Sequence, residues 1–222
     1  MIFVIDFDGT LATEDTVDQL LEHHADPAWE ELEADWLEGR ISALECMQAQ
    51  VRLVRADHIT LGKFFRNIRL DPHFADFRRH VSAFAHVAVV SDGLDFAIHT
   101  ALRHGGLENL PVFANQLHFV SPDRLELTFP HRNPECGGGN GVCKCAIARQ
   151  LATRHGGPVV LVGDGKSDAC LAGIADVVFA KGSLIRHCQE RGILHTPIRD
   201  FADVLGAVRE WDLDQRKSAA TV

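Results

Sequence analysis

The sequence predicts an α/β protein: a doubly wound, Rossmann-like, mostly parallel sheet carrying an inserted helical cap and a small β-hairpin. Three observations lead there. Residues 2–5, 87–90 and 159–162 are short Val- and Ile-rich runs bounded by polar residues or glycine, which is how strands buried on both faces read. Helical patterns over 94–103, 145–154, 167–174, 183–191 and 201–211 alternate with or follow them, as in a layered sheet with helices on both sides. The 222 residues, 46% hydrophobic, suffice for one domain with a modest insertion.

Taken in order, the first strand is followed from about residue 16 to residue 84 by helix after helix, punctuated by Pro27, Gly39 and Pro72 and without a convincing strand. The expected organisation is a core of 1–14 and 70–215, a helical cap of 15–69 and a flexible tail of 216–222. Within the cap, Trp29, Leu32, Trp36 and Leu37, and again Met47, Val51 and Val54, fall at helical spacing, which predicts a bundle core, the alternative being that some of them line the substrate cavity. Polar and apolar residues alternate over 115–129 around Ser121-Pro122-Asp123, a turn between two strands.

Composition narrows the function. Lys plus Arg number 22 against 31 Asp plus Glu, a formal charge of −9, so a nucleic-acid backbone is repelled by the average field. A small phosphorylated metabolite remains a suitable partner, because a local metal ion or lysine outweighs the global charge at short range. No run approaches the length of a membrane span, and the opening MIFVIDFDGT carries acids where a signal peptide carries bases. Six cysteines are too sparse for a disulfide scaffold and fit a reducing compartment, so the expected location is the cytoplasm. Oligomeric state is not legible.

The chemistry gathers where strands end. Asp6-Phe7-Asp8-Gly9-Thr10 follows the first strand, Ser91-Asp92-Gly93 the second, and Gly163-Asp164-Gly165-Lys166-Ser167-Asp168 the third. Ligands in open α/β sheets bind at these carboxyl ends. Two acids one residue apart repel each other unless a cation joins them. Each segment alone is also readable as a solvated turn with a helix cap, but three together supply carboxylates, a hydroxyl and glycines to one rim.

These segments, with a lysine before the third strand, resemble the four motifs of the haloacid dehalogenase-like phosphatase superfamily, and their order and spacing resemble its phosphoserine phosphatase-like branch. Within that branch, residues 90–93, the Cys-rich run before Lys144 and residues 176–180 are similar to the methionine-salvage phosphatases, and next to the phosphocholine/phosphoethanolamine phosphatases. The resemblance implies Asp6 as the nucleophile that takes the phosphoryl group and Asp8 as general acid, then base. It implies Ser91 and the following amides as the phosphoryl grip and Lys144 as the fixed positive charge. It also implies Mg²⁺ held by Asp6, the Asp8 backbone carbonyl and Asp164, with Asp168 supporting the ligands. Lys181 is a weaker rival to Lys144, and Lys166 is expected to point outward.

Substrate contacts are expected from Asp15, Gln48, Asp92 and Gly93. Asp15 aligns with an acid that phosphoserine phosphatases use, whereas Gln48 stands at the position taken for their arginine. A neutral amide does not reproduce the paired grip of guanidinium on carboxylate, which disfavours phosphoserine. Asp92 is read either as a substrate contact or as a cap for the helix near Leu94. The alternatives to hydrolysis are a phosphotransferase or mutase, and a non-catalytic phosphate-binding domain. Cys136, Cys143 and Cys145, with His131 nearby, form a possible Zn²⁺ set that lacks the usual Cys-x-x-Cys pairing.

Overall fold

The computed structural model describes residues 1–122, 124–136 and 138–220. Seven strands form one sheet in the order β4-β3-β2-β1-β5-β6-β7. They are β1 (Ile2–Ile5), β2 (His86–Leu94), β3 (Val112–Ser121), β4 (Arg124–Thr128), β5 (Val159–Gly163), β6 (Val177–Ala180) and β7 (Thr196–Pro197). All neighbours run parallel except β3 and β4. The doubly wound α/β class is therefore what the chain adopts.

Side-chain alternation explains why the central strands are continuously apolar. Phe3 and Ile5 of β1, Val87 and Val89 of β2, and Val160 and Val162 of β5 enter one core. Their neighbours Ile2, Val4, Ala88, Val90 and Leu161 enter the other. A strand covered on both faces has no place for a polar residue until it leaves the sheet. The first core is closed by α5 (Phe74–Val81), α6 (Asp95–His104) and α10 (Phe201–Ala220). There Phe77 meets Phe3 edge-on at 5.0 Å and Phe74 meets Phe201 at 4.8 Å. Asp71, though buried, is satisfied by the amides of His73 and Phe201 at 2.8 and 3.0 Å, which ties the start of α10 to that of α5. The second core is closed by α7 (Lys144–His155), α8 (Ala169–Ala172) and α9 (Gly182–Arg191).

Between β1 and β2 lie α1 (Thr16–His24), α2 (Trp29–Leu37), α3 (Ala43–Arg52) and α4 (His58–Phe65). The chain leaves and rejoins the sheet layer side by side, with Ala12 bridging Leu70, the Thr13 amide donating to the Arg69 carbonyl and the Asp71 amide to the Leu11 carbonyl. Local chemistry starts these helices. Asp15 caps α1, Asp57 caps α4, and Ser42 with Glu45 forms a reciprocal capping box on α3. Their apolar faces share a core with α6 and the hairpin, built around Leu20, Val51, Val54, Phe65 and Leu125.

The expected bundle core needs correction on α2, where no residue is fully buried and Leu37 is 71% exposed. Trp29 packs at the edge of the helical core. The hairpin pairs Gln116 with Thr128 through Phe119 with Leu125, and β3 begins earlier than the alternation predicts because Val112 and Phe113 first pair with β2. Asp123 of the expected turn and residues 221–222 of the expected tail lie outside the described residues, while residues 216–220 continue α10. Among the described residues no helix is long and apolar enough to cross a membrane.

Candidate active site

Three adjacent strands, β2, β1 and β5, end at one cleft of about 580 Å³. Its floor is lined by Asp6, Asp8, Gly9, Ser91, Asp92, Gly93 and Asp164.

Asp6 is nearly buried, and its Oδ1 accepts from the Phe7 amide at 2.8 Å and lies 2.9 Å from Lys144 Nζ. The same ammonium reaches Asp168 Oδ1 at 2.6 Å. The other Asp168 oxygen accepts from the amides of Asp164 and Gly165, at 3.1 and 3.2 Å. Lys144 is the first residue of α7, and Cys143 before it caps the helix through its sulfur. A helix start thus aims a buried lysine at the acid directly after β1 and at an acid in the helical turn after β5.

Burial, and then the Asp168 charge, pushes the Asp6 carboxyl well above its ordinary range against the pull of Lys144. Asp164 is raised for the same two reasons. Burial disfavours the Lys144 ammonium, but Asp168 and Asp6 outweigh it and hold the lysine charged. The floor is therefore short of positive charge. Asp6, Asp164 and Asp168 each offer an oxygen, all within 4.8 Å of one another. Three hard oxygen donors against one lysine suit a divalent cation of the Mg²⁺ type.

Asp8 turns away from that group. Its Oδ1 accepts from the Thr16 amide at 2.8 Å, and burial followed by the Asp15 charge raises its pKa to about 7. Two glycines make the crowding possible. Gly9 has φ +67°, and a β-carbon there would stand 2.5 Å from Asp164 Oδ2. A β-carbon on Gly93 would collide with Asp8 Oδ2. The Gly93 amide donates to Ser91 Oγ at 3.0 Å, and Thr10 Oγ1 donates to Asp164 at 3.1 Å.

The substrate candidates separate. Asp15 lines the cleft, but its Oδ1 accepts from the amides of Val17 and Asp18, at 2.9 and 3.0 Å. Gln48 is outside the cleft lining and donates instead to the Leu127 carbonyl of the hairpin at 3.2 Å. Two residues on, Gln50 faces the cleft and donates to Glu33 at 2.9 Å, because a step of two turns a helix position to the other side. Asp92 does not cap α6. Its Oδ1 accepts from the Val142 amide at 2.8 Å, and its carbonyl from Asn115 Nδ2 at 2.5 Å, so it fastens the loop that leads to Lys144. Burial raises its pKa.

Lys166 and Trp36 stand together at the cleft. Lys166 is exposed, as expected of an outward lysine, and also lines the cleft, its ammonium 5.9 Å from the centre of the Trp36 ring. Trp36, open to either a bundle core or a cavity lining, forms cleft wall with Leu21, Cys46 and Met47. The Zn²⁺ set finds no support. Among the described residues only the three aspartates form a close group of ligand atoms. Cys145 is buried in the second core and the His131 ring packs on Phe113. Gly137 of that loop lies outside the described residues.

The fold and the strand-end carboxylates define a class. The chain belongs to the haloacid dehalogenase-like hydrolase family, whose model matches residues 3–173. More particularly, it is 32% identical over 223 residues to a 2-hydroxy-3-keto-5-methylthiopentenyl-1-phosphate phosphatase of Geobacillus kaustophilus, covering 96% of this chain and 97% of that protein. It is 32% identical over 205 residues to the phosphatase of the same name from an Exiguobacterium species, covering 90% and 94%. A solved structure described as a phospho-aspartyl intermediate analogue of phosphoserine phosphatase shares the fold with a TM-score of 0.67. It is 20% identical and covers 93% of this chain and 97% of that one.

Proposed function

We propose that the protein is a Mg²⁺-dependent phosphomonoesterase whose Asp6 accepts the phosphoryl group of a small metabolite, the favoured substrate being 2-hydroxy-3-keto-5-methylthiopentenyl-1-phosphate. The observation that carries the chemistry is the buried Lys144 held between Asp6 and Asp168 beside Asp164.

Asp6 and Asp164, with Asp168 behind them, would hold the Mg²⁺, which supplies positive charge against the phosphoryl oxygens and keeps Asp6 ionised. Asp6 Oδ1 is engaged by the Phe7 amide and Lys144, so we assign the attack to Oδ2. The Oδ2–P bond forms as the bond from phosphorus to the leaving oxygen breaks, and Asp8 gives that oxygen its proton. Water then attacks phosphorus, Asp6 is released, and Asp8 takes the water's proton. A carboxyl with a pKa near 7 serves both steps at neutral pH. Ser91 Oγ and the Gly93 region grip the phosphoryl oxygens. Residues 15–69 act as a cap, opening along the paired linkers at Ala12 and Leu70.

The substrate reading rests on the two relatives' names and on the cleft wall of Trp36, Met47, Cys46 and Leu21, which suits an apolar thioether better than an amino acid. The test is phosphate release with Mg²⁺ from that substrate, phosphoserine, phosphocholine and phosphoethanolamine, with and without chelator. The methylthio substrate should give the highest kcat/KM. Preference for phosphoserine would overturn the substrate, and metal-independent turnover would overturn the mechanism. Transfer of the phosphoryl group to an added alcohol in place of water would make the enzyme a transferase.

A further inference from the structure

Outside the acidic floor, the molecule gathers four of its six cysteines in one place. Cys136 lies on the loop before α7, Cys143 and Cys145 stand at the start of that helix, and Cys170 lies on α8. A β-carbon on Gly138 would stand 3.3 Å from Cys170 Sγ and 3.8 Å from Cys136 Sγ, so the two sulfurs flank one point of the loop. The thiols of Cys170 and Cys143 both interact with the Cys136 sulfur, which also takes the Gly138 amide hydrogen. Three donors converging on one sulfur favour its thiolate, the nucleophilic form, and Cys136 is accordingly shifted below the ordinary thiol range, the Gly138 amide being the largest cause.

The exposures differ in a way that selects a pair. Cys136 is partly exposed and Cys170 exposed, whereas Cys143 is buried with its sulfur taking the Ala146 amide hydrogen at 3.4 Å, and Cys145 is buried in the second core. An oxidant in solution reaches the first two.

We propose that Cys136 and Cys170 form a thiol modification site, at which a peroxide converts Cys136 to a sulfenic acid that Cys170 resolves into a disulfide. The Cys136 thiolate attacks one peroxide oxygen, the O–O bond breaks, and hydrogen peroxide leaves one molecule of water. The Cys170 sulfur then attacks the sulfenyl sulfur, the S–S bond forms, and a second water leaves. Two thiols lose two electrons to one peroxide, and both protons end in water.

The position gives the bond a consequence for the cleft. Gly138, Gly139 and Asn140 line it, and Asn140 already donates to the Ser167 carbonyl at 3.4 Å. Cross-linking Cys136 to α8 fastens this stretch to the segment that carries Asp164 and Asp168, so the rim no longer yields to substrate.

The experiment uses the full chain with Mg²⁺, limiting hydrogen peroxide, alkylation of the remaining thiols and peptide mass spectrometry, a readout independent of which substrate the enzyme prefers. The expected result is a linked Cys136–Cys170 peptide pair with Cys188 still alkylated. In Cys170→Ser, dimedone should label Cys136 instead, and the reduced variant should keep normal turnover. Turnover of the oxidised wild type should fall several-fold and return with dithiothreitol. Oxidation of Cys188 as fast as Cys136, or a Cys136–Cys143 link as the main product, would overturn the site. A linked pair with unaltered turnover would overturn its effect on the cleft.

Discussion

The floor and the wall of the cleft are built on opposite principles. On the floor, Asp6, Ser91, Lys144 and Asp168 are buried, and each is held by a hydrogen bond or an ion pair. On the wall, Trp36 and Met47 are half-buried and Lys166 is exposed, its ammonium 5.9 Å from the centre of the Trp36 ring. Buried charges that depend on one another have one low-energy arrangement, because an unpaired partner costs too much. Half-exposed apolar side chains have several of similar energy. Chemistry is therefore expected to be intolerant of change on the floor, and selectivity to vary gradually along the wall.

The sharpest break would come from Asp6. Asp6→Asn should reduce phosphate release to the uncatalysed background and leave no acyl phosphate in a quenched reaction, with the circular dichroism spectrum retained. Measurable steady turnover in that variant would mean that Asp6 is not the nucleophile.

Asp8→Asn should lower kcat by about 10²- to 10⁴-fold with an alkyl phosphate, and by much less with p-nitrophenyl phosphate, whose leaving group needs no proton. The wild-type pH profile follows. Asp8, raised to about 7 by burial, is a proton donor below that pH and loses the proton above it. The rate with an alkyl phosphate should fall as pH rises through about 7 while the aryl phosphate shows a flatter limb. Identical limbs for both would remove Asp8 from the proton transfer.

Lys144→Met tests the mutual dependence itself. Stranding Asp6 and Asp168 should cost about 3–5 kcal/mol of stability, read as a lower urea midpoint at pH 8 in chelator. The loss should shrink at pH 5, because a carboxyl with a raised pKa accepts a proton and sheds the unpaired charge. An unchanged midpoint would show that the floor does not need its lysine.

On the wall, Trp36→Ala should raise KM for the preferred substrate by roughly 10- to 200-fold, the range for removing apolar contact, with kcat nearly unchanged. A collapse of kcat instead would place the wall in the chemistry. Lys166→Ala should be the mildest, about 0.5–1 kcal/mol of the cap's closed state for an exposed cation over an aromatic ring, read as a small rise in KM.

The contrast also explains what was legible in the sequence. Strand ends announce themselves, because a run such as Ile2–Ile5 buried on both faces must stop at its first charged residue, and Asp6, Ser91 and Asp164 stand close behind such runs. The side on which a helical residue faces is decided by packing partners far away in sequence. Gln48 and Gln50 are chemically identical, and only the hairpin carbonyl at Leu127 and the carboxylate of Glu33 tell them apart. Nothing near the exposed Lys166 in sequence reveals that its ammonium lies over Trp36, 130 positions earlier. The short strands β6 and β7 close the sheet through register with neighbours more than through a pattern of their own.

By itself the sequence determined the α/β sheet and the order in which acids, serine and glycines leave its strands, because burial on both faces and the pleat's two-residue period are local constraints. Only the tertiary structure decided that Lys144 lies between Asp6 and Asp168, that Asp92 fastens the loop before it, and that Cys136 meets Cys170. Those contacts join segments from tens of residues to well over a hundred residues apart. Their energies arise from desolvation and Coulomb interaction, which depend on distance in space and leave no periodic trace along the chain.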